Sequence, residues 1–196
     1  MTNPVLWGPA VWQAMLASAW QCAPANLPVL IDLLLRLVPL LLPCQKCRAH
    51  FAKHLPTVSR RAHGDPKTAK HAFRWIWFLK HQVNRSLGQQ SIALDDLTER
   101  FALHGAVVDD VLLGDALVLI ALEARALDRD ALFLELCAAL AILLPLPQDS
   151  QLHAVLAAAT RPIVPCALAA ARAARVERGV PVLGLVRYKT AADSES

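Results

Sequence analysis

Apolar residues recur at three- and four-residue intervals along almost the whole chain, the period of a helix face, and prolines and glycines fall at the joints. The spacing predicts a first helix from Pro9 to Gln21, with Pro9 in the first turn, where its missing N–H costs nothing. A second is expected to start from Asn26 as N-cap with Pro28 just inside, and to reach Leu42 with a kink at Pro39. Asp32 and Arg36 stand at i,i+4 on its polar side. A third helix begins at Pro43 or Cys44. Cys44, Cys47, Phe51 and Leu55 form one stripe along it, so both sulfurs are expected to face the interior.

Residues 56–66 (PTVSRRAHGDP) read as a basic loop. Asp65 is then expected to cap a fourth helix that has Pro66 in first position, runs to Leu87 and stops at Gly88. A short fifth helix, Leu94 to His104, carries Asp95 and Asp96 in its first turn and ends at Gly105. Beyond Gly105 the chain turns rich in Ala and Leu, with helices expected at 109–127, 129–144, 150–160 and 165–177. The fold class is therefore all-α, with a boundary near 105. Residues 1–105 form a five-helix unit with most of the aromatics, 106–188 a helical C-terminal domain of unknown role, and 189–196 a disordered tail.

Composition narrows the class further. With 196 residues, 56% of them hydrophobic and 18% charged, the chain is long and apolar enough to bury a real core. The net charge of +4 is unevenly spread: ten Lys or Arg lie between Cys44 and Gln89 against the single acid Asp65, and the remainder is net acidic. A basic middle suits nucleic acid, a pyrophosphate-like anion or solvent; no nucleic-acid motif is present, and no nucleic-acid partner is expected. The apolar stretches 27–42 and 131–147 carry charges and prolines and fall short of a span of about 20 residues, so they are read as core helices with no membrane partner. No basic region followed by an apolar run opens the chain, so a cytoplasmic location is expected.

The chemistry centres on LLPCQKCRAHF, residues 41–51. Cys44 and Cys47 could be half of a zinc site, a redox disulfide or two inert core thiols. Zinc needs four ligands; His50 and His54 are near in sequence but project from another helix face, so no metal site is expected. A redox pair fits better, because a cysteine at a helix N-terminus meets free N–H groups and the positive end of the dipole, and Lys46 and Arg48 also favour thiolate.

Several motifs stand in a telling order: Trp7-Gly8-Pro9-x-x-Trp12, then Pro43-Cys44-x-x-Cys47-Arg48-x-His50-Phe51, then Trp75, then Val83-Asn84-Arg85-x-Leu87-Gly88, then Glu99-Arg100-Phe101. Together they resemble the Erv/ALR family of FAD-dependent sulfhydryl oxidases, over residues 7 to about 104. The resemblance implies a four-helix bundle with a short fifth helix, FAD as cofactor, and a Cys-x-x-Cys beside the flavin. Cys44 would exchange with a dithiol protein substrate and Cys47 would pass electrons to the flavin, with oxygen as acceptor and hydrogen peroxide as product. Carried over by position, the cofactor contacts would be Gly8, Trp12, Lys80, His81, Val83, Asn84, Gly88, Arg100 and Phe101. The resemblance also implies a homodimer through the first two helices.

The chain departs from the family pattern at defined places. Leu16 stands where the family has a cofactor-facing His, Lys80 and His81 where it has His-Asn, Gln89 where Lys follows Leu-Gly, and Phe101 where Trp is usual. Lys80 can supply near a phosphate the charge that Gln89 lacks. The family's additional disulfide is absent from residues 1–105, as in short viral members, and the C-terminal extension resembles additions in large-virus members. A viral chain would act in host cytoplasm or virion. Cys137 and Cys166 do not form the shuttle Cys-x-x-Cys many members carry, and Cys22 reads as a lone thiol. The alternative to an oxidase is a non-catalytic helical scaffold or virion interaction protein derived from one.

Overall fold

The computed structural model describes residues 3–144 apart from 63, together with Leu146, Ser150, Leu152 and Leu156. Every regular element among them is helical. α1 spans Gly8–Gln21, led in by a 3₁₀ turn at Pro4–Leu6 whose Val5 N–H is capped by the Asn3 side chain. A continuous rod follows over 27–41, made of α2 (Leu27–Asp32), a π-turn (Leu33–Leu37) and α3 (Val38–Leu41). Then come α4 (Gln45–Arg61), α5 (Ala69–Ser86), α6 (Leu94–His104), α7 (Asp110–Ala126) and α8 (Asp130–Leu143).

The rod ends where expected, but its start and middle differ. Asn26 makes no side-chain cap bond; a 3₁₀ turn at Pro24–Asn26 already satisfies the Leu27 N–H, and Pro28 has none to satisfy. In place of a simple kink, the turn before Pro39 widens to π geometry. Proline gives no N–H to the carbonyl one turn back, and its ring crowds that carbonyl. Leu30, Leu33, Leu34, Leu37 and Leu41 of the rod are at most 2% exposed. By length and composition 24–41 could also cross a membrane; a third of it is buried here, with Leu30, Leu33, Leu34, Leu37 and Leu41 in the core and Leu40 exposed.

Two further expectations are corrected. Residues 56–61 are not loop: α4 runs through Pro56 to Arg61. Pro56 removes one helical bond, but Val58 (0% exposed) and Ala62 bury against the core, and that burial outweighs the loss. α5 is capped by Thr68, whose hydroxyl accepts the His71 N–H at 3.1 Å, not by Asp65. The Asp65 carboxylate is occupied by the Ser59 hydroxyl at 2.8 Å. His71 closes the turn, its Nδ1 accepting the Lys67 N–H and its Nε2–H therefore donating to the Ala62 carbonyl at 2.6 Å.

α1 packs along α5 and α7, α4 along α5, and α8 along the rod and α7. One core runs through all of them, including Leu113, Leu117 and Ile120 of α7 and Phe133, Leu136 and Leu140 of α8. Leu152 and Leu156 are helical and buried in it. A small apolar cavity of about 20 Å³, lined by residues such as Met15, Leu33, Leu117 and Leu140, lies between α1, the rod, α7 and α8. The other expectations for 145–196, including the 165–177 helix, the tail and Cys166, lie outside the described residues.

Candidate functional site

Pro43 builds the site by ending one helix and starting another. It holds Leu42 extended at ψ 129°, which stops α3. Cys44 (φ −155°, ψ 116°) then takes the N-cap of α4, and its Sγ accepts the Cys47 N–H at 3.3 Å. Cys44 and Cys47 are joined as a disulfide with their Cα atoms 5.1 Å apart, and both are half-buried rather than wholly interior. The Cys47 amide in the first turn of α4 therefore points at Cys44 Sγ, a setting that stabilises negative charge on Cys44 when the bond opens.

Arg48 fixes this corner. One of its guanidinium nitrogens donates to the Leu42 carbonyl at 2.6 Å and to Glu123 Oε1 of α7 at 3.1 Å. His50 and His54 project from another face, with rings 6.1 Å apart. Burial and the neighbouring His50 and Lys53 hold the His54 imidazole below its usual range.

The ring contacts set the register of three helices. Trp20, near the end of α1, meets Phe73, near the start of α5, at 5.2 Å, so these helices run antiparallel. From Trp20 back to Trp12, and from Phe73 on to Lys80, each helix advances about 10–12 Å at ~1.5 Å per residue, so Trp12 and Lys80 reach one level. Phe51 of α4 stacks on Trp12 at 6.4 Å and 17°. One turn further toward the same end come Gly8, Cys47 and Asn84. The structure thus gathers Gly8, Trp12, Lys80, Val83 and Asn84 at the cysteine end of the bundle.

The remaining sequence-selected residues divide. His81 is stacked on Trp77 at 5.3 Å and 16°, and its Nδ1 is buried without a partner, as is Nε2 of Gln82. Trp77 itself donates to the Ile92 carbonyl at 2.9 Å. Gly88 (φ +68°) closes α5 with bonds from its own N–H to Arg85 and from Gln89 to Asn84, a Schellman stop. The Asn84 side chain holds the following loop at Gln90 and Ser91, both at 3.2 Å. Phe101 lies at the other end in an aromatic triad, tilted against Trp20 and edge-on to Phe73, and Arg100 is exposed. Leu16, at the position of the family's histidine, is 3% exposed and part of the core.

Lys80 is half-buried and has no ion-pair or hydrogen-bond partner among the described residues; burial alone pushes its amine below the usual lysine range. The other free thiols sit elsewhere. Burial raises the Cys22 thiol, and pushes that of the fully buried Cys137 up to about 12. Sequence reasoning missed Phe51 as the partner of Trp12 and Glu123 as the partner of Arg48; the Phe51 stripe was a signal for the first, and no sequence signal marks the second.

Compared with known proteins, the chain matches the model of the Erv1 / Alr family over residues 11–102, a stretch that holds the cysteine pair, the Trp12–Phe51 stack and Lys80. No curated protein and no solved structure matches it.

Proposed function

We propose that the chain is an FAD-dependent thiol oxidase of the Erv1 / Alr type, forming protein disulfides with oxygen as acceptor and hydrogen peroxide as product. The observation that carries this reading is the Cys44–Cys47 disulfide capping α4 within the family-matched segment. Residues 1–105 are taken as the oxidase unit and 106–188 as its extension.

The residues present fit an anionic dinucleotide. Lys80 is a half-buried cation without a counter-charge among the described residues, and His81 Nδ1 and Gln82 Nε2 are buried polar atoms without partners. Gly8, Trp12, Lys80, His81, Val83, Asn84 and Gly88 would hold the cofactor; Arg100 and Phe101 stand outside this set.

Cys44 is the exchanging sulfur. A substrate thiolate attacks its Sγ, the Cys44–Cys47 bond breaks, and Cys47 leaves as thiolate. The second substrate thiolate then attacks the substrate sulfur of this mixed disulfide and releases Cys44, whose charge the Cys47 amide and the α4 N-terminus stabilise. The products are one substrate disulfide and a reduced Cys44–Cys47 pair that holds the two electrons taken from the substrate. FAD, when bound, would supply a two-electron acceptor that oxygen can reoxidise, and Cys47 would be the sulfur that hands it the electrons. A homodimer would use the outer face of α1 and the rod, and a viral source would place the enzyme in host cytoplasm or virion.

The test is the visible spectrum of the purified protein. Flavin absorption that bleaches with dithiothreitol and returns in air is expected. Cys47→Ser should keep the flavin and lose turnover. A colourless protein overturns the reading and leaves the scaffold alternative; undiminished oxygen consumption in Cys47→Ser overturns the role given to Cys47.

A further inference from the structure

We propose that Glu123, on α7 of the C-terminal extension, is a positioning residue that sets the reduction potential of the Cys44–Cys47 pair by acting through Arg48. The inference rests on the redox role given to that pair above, and assigns to the extension a part in the chemistry.

Polar cross-links run from the extension to the segment that delivers the cysteines, among them Arg129 to the Leu40 carbonyl at 2.6 Å, Glu135 to Arg36 at 2.5 Å, and Glu123 to Arg48 at 3.1 Å. They differ in what they can do. The Arg36 and Glu135 side chains are 42% and 50% exposed, so solvent screens their charges. Those of Arg48 and Glu123 are 17% and 29% exposed, and this pair abuts the helix start itself. Arg48 lies one turn after Cys44, and the nitrogen that touches Glu123 also binds the Leu42 carbonyl, two residues before it.

The electrostatic consequence has a definite sign. A bare Arg48 beside the α4 N-terminus favours thiolate on the reduced pair and so favours reduction. Glu123 offsets that charge while keeping the guanidinium in place. The extension thereby keeps the disulfide less oxidising than the α4 N-terminus, Lys46 and Arg48 alone would make it.

Full-length protein equilibrated without oxygen against reduced and oxidised glutathione tests this. Two glutathione thiols supply two electrons and two protons, the Cys44–Cys47 bond opens to two sulfhydryls of which the one at the α4 N-terminus gives its proton to the buffer as it becomes thiolate, and one glutathione disulfide forms. Acid quench, alkylation and peptide mass spectrometry read the Cys44 and Cys47 thiols apart from the other cysteines. Glu123→Gln keeps an oxygen that can accept from Arg48 but removes the charge; it should shift the equilibrium toward the reduced pair by about threefold to tenfold, or about 15–30 mV. Arg48→Gln should shift it the other way. An unchanged constant in Glu123→Gln overturns the proposal, as does a shift of both variants in one direction, which is the mark of a loosened corner. Loss of flavin or oxygen consumption in the unaltered protein would instead sink the oxidase reading, since the glutathione equilibrium needs neither.

Discussion

Trp12 and Phe51 lie nearly parallel, 17° between their planes and 6.4 Å between centroids, one helical turn below the sulfur of Cys47. The stack ties α1 to α4 at the level where the cysteine pair meets the bundle. Trp12→Ala should lower stability by about 1–3 kcal/mol, because Trp12 is only partly buried and the ring pair itself contributes about 1 kcal/mol. Flavin content per chain should fall with it, while Trp12→Phe should retain most of both. Thermal melts and the ratio of flavin to protein absorbance measure the two effects.

Lys80 makes opposite predictions with and without an anion present. Its amine is held below the ordinary lysine value by burial, so below the folded-state pKa the charge is present in both states and its desolvation penalty is whole. As pH rises through that value the folded amine sheds its proton before the unfolded one does, and stability recovers. In flavin-free protein Lys80→Met should therefore raise Tm at pH 7, with an advantage that shrinks as pH approaches the ordinary lysine range. Calorimetric titration with FAD should show the same variant binding it more weakly. A Tm gain that does not shrink with pH would remove the electrostatic explanation.

Pro56 sits exposed inside α4, where it leaves one carbonyl without its helical donor. Pro56→Ala should stabilise the fold by about 1–2 kcal/mol, which is about 2–8 °C in Tm for a chain of this size. Oxygen consumption should be unchanged, since the substitution lies beyond Phe51 from the cysteines.

Gly88→Ala tests the stop of α5. At φ +68° an L side chain is strained, and nothing lies within 4 Å of the added Cβ, so the cost is backbone strain alone, about 1–2 kcal/mol. Hydrogen exchange should rise in residues 88–92, which Asn84 otherwise holds.

Cys137 should be silent in the native state. It is 0% exposed, with its thiol pushed up to about 12 by burial. Alkylation at pH 8 should label it only on unfolding, and Cys22→Ala with Cys137→Ala should turn over substrate like the parent. A lost activity in that double variant would make one of the two thiols a shuttle.

The elements legible in the sequence are those that end on local chemistry. Asp109 caps α7 through two amides at 3.0 Å, and the left-handed Gly88 and Gly105 stop α5 and α6. The misread ones are settled by distant partners. Pro56 looks like a helix end until Val58 is found buried, and Asp65 looks like a cap until Ser59 takes its carboxylate. The cysteine pair was readable as a helix start because Pro43 and the i,i+3 spacing are local. Its electrostatic setting was not, because Glu123 reaches Arg48 across 75 positions of sequence.

The π-turn at Leu33–Leu37 also fixes where the cysteines point. A π-turn accommodates one residue more than an α-turn, and in a regular helix each residue adds about 100° of rotation. Deleting a single residue there would let the rod return to ordinary winding with Leu41, Leu42 and Pro43, all buried, near their seats, whereas deleting one from the regularly wound α2 would turn them about 100° away. The aim of the redox pair is thus kept by a reading-frame-like feature two turns upstream, which takes up one surplus residue so that the segment after it stays in phase with the core.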